Sequence, residues 1–179
     1  MDESGSGRGD KIESLVRMNQ GKRSAPTFLA ALTEALGEAV PYEALVSLSE
    51  TDRILESFRQ GYQDAVSEGT VAYRRFFGVG QEQRVFRMAE RLAVELPPED
   101  VYFMTKMSES CGAVRLPIST LLRHAGPIIH LDGDSLSVIS LDCKEGLLID
   151  HNTEDEDQNY EVTIWGGRWP IAALSCTAD

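Results

Sequence analysis

The sequence predicts an α+β protein in which N-terminal helices pack on a mainly antiparallel β-sheet formed by the C-terminal part of the chain. Three observations carry this. Apolar residues recur at helical spacing as far as Pro97-Pro98, the period shortens to that of strands beyond them, and the turn signals between the late strands suit hairpins. With 179 residues, 42% apolar and 26% charged, the chain can bury one core without disulfides or metal and lies far from disordered compositions.

The opening "MDESGSGRGD" is Gly/Ser-rich and lacks an apolar period, so residues 1–23 are expected to form a flexible tail. Residues 24–179 are expected to form a single domain, helical over 24–96 and sheet over 99–175. In "SAPTFLAALTEALGEAV" Ser24 reads as a cap and Pro26 falls in the first turn. Phe28, Leu29, Leu32 and Leu36 then recur at helical spacing before Gly37. A second helix starts near "SETD", where Ser49 and Asp52 have capping-box spacing, and carries Ile54, Leu55, Phe58 and Tyr62. A third runs from about Gln81 to Glu95, with Val85, Met88, Ala89, Leu92 and Leu96 on one face, and the double proline stops it.

Beyond the prolines, "VYFMTKM" and "GAVRLP" are rich in β-formers, and "ISTLLRHAG" reads as a short helix ending at Gly126. "DSLSVISLD", "GLLIDH" and "YEVTIWG" are strand candidates. "CKEG" is the hairpin turn between the first two, and the acidic run is the loop between the last two. Trp165 alternates into the core, whereas Trp169, between Gly166-Gly167 and Pro170, reads as exposed.

The net charge of −12 is concentrated late in the chain. Residues 1–96 hold 12 Lys+Arg against 15 Asp+Glu, and residues 97–179 hold 5 against 14. Such a field disfavours nucleic acid phosphates and anionic lipid and favours fast encounter with a basic partner. No apolar run is long enough to span a bilayer and no signal-peptide pattern opens the chain, so a cytoplasmic protein is expected.

Three cysteines, Cys111, Cys143 and Cys176, form no CxxC pair and read as free thiols. Cys111 in "SESCGAV" would be a nucleophile only with a base or cation beside it, and nothing places His124, His130 or His151 there. "YRRFFGVGQEQR" holds a GxG without a third glycine, a poor phosphate loop. Its Arg74, Arg75, Arg84 and Arg87 form either a modest basic patch or a solvated face balanced by Glu82 and Glu90. GxSxG, HExxH and Walker patterns do not occur.

"DHNTEDEDQNYE" holds six acids in twelve residues. Asp150, Asn152, Glu154, Glu156 and Glu161 fall where an EF-hand would place ligands, but the central glycine and flanking helices of that motif are lacking. "HLDGDSL" offers His130, Asp132 and Asp134, which with Asp150 would make a divalent-metal site if folded inward. Asp-Gly is equally an ordinary solvated turn.

The expected function is an acidic module that neutralises or regulates a basic protein partner, similar in kind to bacterial immunity proteins that occlude nuclease toxins. That likeness rests on size, charge and an acid-and-aromatic C-terminal half. The partner-binding residues would be Asp150, Glu154, Asp155, Glu156, Asp157, Tyr160 and Trp169, with no cofactor, as charge steers and aromatic anchors hold. The alternative is a small metal-assisted hydrolase using His130, Asp132, Asp134 and Asp150.

Overall fold

The computed structural model describes residues 6–67, 72–151 and 159–176. Six strands are formed by β1 (Ala72–Phe77), β2 (Asp100–Met104), β3 (Val114–Pro117), β4 (Ser135–Ser140), β5 (Gly146–His151) and β6 (Tyr160–Trp165). The helices are α1 (Ser6–Leu36), α2 (Leu48–Val66), α3 (Glu82–Glu95), α4 (Ser108–Cys111), α5 (Ile118–Arg123), α6 (Ala125–Asp132) and α7 (Trp169–Ser175). The strands pair antiparallel in the order β1-β6-β5-β4-β2-β3, and helices cover the sheet, so the protein is α+β. Among the described residues no helix is long and apolar enough to cross a membrane.

Side-chain alternation gives each sheet face its own cover. Tyr73 and Phe77 of β1, Leu147 and Ile149 of β5, and Tyr160, Val162 and Ile164 of β6 share one face with the buried stripe of α3 and with α6 and α7. The α3 stripe is Val85, Met88, Ala89, Leu92 and Ala93, the helical period read from the sequence. The opposite face receives α2, whose Ile54 meets Met104 and Ile139 and whose Phe58 and Tyr62 meet Trp165 edge-on. Ser47 caps α2 by accepting the Glu50 N–H, two residues before the expected cap.

Trp165 is 4% exposed, the core position its alternation predicts. It is wedged between Gly61 of α2 and Gly146 of β5, because a Cβ at either position would overlap the indole. These glycines are spacers for one large ring.

Four features depart from the sequence reading. First, α1 runs unbroken from Ser6, so part of the expected tail is helical and Ser24 and Pro26 lie inside the helix. An interior proline costs about 3 kcal/mol, and tertiary contacts offset it. Arg17 makes a bidentate pair with Asp52 at 2.9 and 2.6 Å and also donates to the Glu109 carbonyl, while Gly21 lies against the Ser110 carbonyl with no room for a Cβ.

Second, "AYRRFF" is an edge strand paired along its length with β6, so a strand does precede the GVG turn and the sheet is not confined to residues 99–175. Third, helix continues past Gly126 as α6.

Fourth, Trp169 starts α7 and is fully buried, its indole N–H donating to Glu99 at 3.1 Å. The expected exposure is overturned. The Glu145 carboxylate accepts the backbone N–H groups of Gly167, Arg168 and Trp169 and so draws the start of α7 onto the sheet.

Two substitutions test this packing by urea denaturation. Gly146→Ala, which pushes a methyl into the Trp165 ring, is expected to lower stability by about 1–3 kcal/mol. Trp169→Ala is expected to cost about 3–5 kcal/mol, as for a large ring removed from a core. A Trp169→Ala protein as stable as the parent would contradict the burial described.

Candidate functional site

Pairing of β4, β5 and β6 brings Ser135, Asp150 and Glu161 into one row, and Phe76 of β1 extends it beyond Glu161. Asp150 and Glu161 are direct cross-strand neighbours of like charge, an arrangement that destabilises a sheet. The two acids meet this differently. Glu161 receives Arg74 bidentately at 2.7 and 3.1 Å and the Thr163 hydroxyl at 2.7 Å. Burial works against its charge, but the bonds from Arg74 and Thr163 hold its carboxyl below the usual range.

Asp150 has no such help. Among the described residues nothing donates to its half-buried carboxylate. Burial first, then the charges of Glu161 and Asp134, push its carboxyl above the ordinary aspartate value, with His151 pulling the other way.

Asp134 arrives from α6. Gly133 and Asp134 take positive φ of 72° and 111°, which ends the helix and turns the chain toward β5. The His151 N–H then donates to the Asp134 carbonyl at 2.7 Å. The imidazole lies between Asp134 Oδ1 at 3.3 Å and Asn159 Oδ1 at 3.0 Å, stacked on Tyr160 with ring centroids 4.6 Å apart.

Of the expected partner-binding residues, Asp150 lies in this row, and Glu154, Asp155, Glu156 and Asp157 fall outside the described residues. The segment that carries them lies between β5 and β6 in the chain, so strands rather than helices flank it. Tyr160 is 1% exposed between His151 and Phe86, and Trp169 is buried, so neither aromatic is presented as an anchor. Alternation correctly placed Tyr160 in a strand but not on its buried face.

The metal alternative does not assemble in what is described. His130 is exposed on α6, Asp134 faces His151, Asp150 points to the other sheet face, and the Asp132 side chain is outside the described set. Among the described residues no three His, Cys, Asp or Glu side chains gather to hold a metal ion. Cys111 is buried, with the Gly21 carbonyl and the Ser110 hydroxyl beside its sulfur and neither of them a base.

The Arg74 to Arg87 patch divides. Arg74 answers Glu161, while Arg75, Arg84 and Arg87 gather around a cavity on the other face of the sheet.

The raised Asp150 carboxyl carries a pH signature. The folded state binds its proton more tightly than the unfolded state, so its contribution to stability is greatest below the unfolded pKa of about 3.9 and falls as pH rises through the folded value. Asp150→Asn is expected to raise the melting temperature at neutral pH by about 1–3 °C and to have no effect in acid below that range. An equal change at both pH values would show that charge is not the cause.

Comparison of the chain with protein-family models, with characterised proteins and with solved structures finds no match.

Proposed function

We propose that the protein is a binding module whose acidic sheet end receives a basic protein partner, in the manner of an immunity protein that neutralises a nuclease-type toxin in the cytoplasm. The observation that supports this reading is Asp150. A half-buried carboxylate to which none of the described residues donates, set opposite a second acid and beside a third, is a local cost. Proteins commonly retain such costs where a ligand relieves them. A lysine or arginine of a partner would supply the missing donor.

The segment that follows β5 in the sequence adds Glu154, Asp155, Glu156 and Asp157. Charges there act over a Debye length of about 8 Å at physiological salt and raise encounter rates with a basic surface. With Tyr160 and Trp169 buried, the contact is led by charge and not by aromatic anchors. Phe76, 44% exposed with the Arg74 guanidinium 4.7 Å over its ring, is the apolar group at the end of the acidic row.

The test begins with a basic protein recovered on the immobilised chain from native lysate, purified, and followed by stopped-flow at low and high salt. Replacing the four loop acids by Asn or Gln is expected to slow association by about tenfold and to flatten its salt dependence. Asp150→Asn is expected to speed dissociation while stabilising the free protein. An unchanged association rate in the loop variant would leave that stretch as a solvated turn and defeat the proposal.

A further inference from the structure

Several arginines of this acidic chain answer carboxylates: Arg17 with Asp52, Arg74 with Glu161, Arg115 with Asp100, and Arg168 with Glu99 and Glu145. Arg75, Arg84 and Arg87 do not, as among the described residues no carboxylate comes within ion-pair distance of them. All three nevertheless line one cavity of about 220 Å³, together with Arg91.

The convergence has a simple origin. Arg84, Arg87 and Arg91 are spaced i, i+3 and i+7 and so share one face of α3. Alternation along β1 sends Arg75 to the sheet face on which α3 and α7 pack. The end of α7 closes the arrangement, since Arg91 donates to the Cys176 carbonyl at 3.0 Å.

The walls between the guanidiniums are apolar. Phe77 is 3% exposed and carries the Arg75 guanidinium 5.1 Å above its ring, while Met88 lies beneath the helix face. Stacking holds the Arg75 plane and leaves its N–H edges available.

We propose that this cavity binds a compact phosphorylated small molecule. Planar guanidiniums match phosphate oxygens bidentately, and Arg75, Arg84 and Arg87, with no carboxylate of the described residues within ion-pair distance, repel one another until an anion arrives. The volume is below the roughly 300 Å³ at which drug-sized pockets begin, so the ligand is a diphosphate or a small phosphate ester. A long nucleic acid fits less well, because the net charge of −12 opposes approach of an extended polyanion.

The cavity binds and does not transfer. Its thiol, Cys176, is pushed up by burial and by Glu95 and stays protonated, so it forms wall and not nucleophile. The site is on the sheet face opposite the acidic row and is independent of the reading given to that row.

Isothermal titration with inorganic pyrophosphate and with a sugar phosphate, at fixed ionic strength, tests this directly. Binding of at least one probe is expected, weakened about tenfold or more by Arg84→Gln and further by Arg84→Gln with Arg87→Gln. Arg115→Gln, which removes an arginine of a distant ion pair, should leave affinity unchanged. Arg84 and Arg87 are both exposed, so melting temperatures without ligand should match the parent, and the single variant suffices if the double one does not fold.

Absence of heat with both probes would overturn the proposal, as would equal affinity in the Arg84→Gln protein. So would a single-stranded oligonucleotide that outcompetes pyrophosphate through the same arginines, since it would make the face a nucleic-acid surface.

Discussion

One buried carboxylate organises the C-terminal third of the molecule. Glu145, 5% exposed, sits at the turn between β4 and β5, where its own N–H donates to the Ser140 hydroxyl at 3.0 Å. Its two oxygens accept the consecutive backbone N–H groups of Gly167, Arg168 and Trp169, and the Arg168 side chain at 3.3 Å. A buried charge is tolerable only when its lone pairs are met, and here backbone donors and a cation meet them. The consequence is positional. The chain leaving β6 must turn at Gly166, at φ 109°, and start α7 with Trp169 in the core. α7 then ends at the Cys176 wall of the arginine cavity.

The sheet separates two charged surfaces that would otherwise cancel. Arg74 and Arg75 are adjacent in sequence, yet alternation sends one to Glu161 and the other to the cavity. A one-residue slip of β1 against β6 would exchange them, burying the acidic row's cation and stripping the cavity of an arginine. Tyr73 and Phe77 oppose that slip, because both must stay on the covered face, opposite Ile164 and Tyr160. Hydrophobic register thus holds the electrostatic pattern in place, and the charged residues need contribute little to it.

The two charged surfaces differ in how they are held. The cavity arginines project from a well-packed helix and a paired strand, so their spacing is set by rigid elements. The acidic row is a compromise. Arg74 and Thr163 satisfy Glu161, whereas burial and the acidic neighbours of Asp150 work against its charge.

The amino-acid sequence by itself determined what depends on near neighbours. The stripe of α3, the alternating strands β4 to β6 with their hairpins, the core position of Trp165 and the lateness of the acidity all follow from periods and turn signals within about fifteen residues. What only the tertiary structure decided depends on residues far apart. β1 holds two adjacent arginines that blur its alternation, and its strand character comes from pairing with β6 almost ninety residues on. The early part of α1 is helical across Pro26 because Asp52 and the α4 segment hold it. Trp169 follows two glycines and precedes a proline, which reads as an exposed turn until Glu145 and Glu99 draw it inward. The convergence of Arg75 with Arg84, Arg87 and Arg91 was equally invisible, because spacing along a helix shows which side chains share a face but not what that face meets.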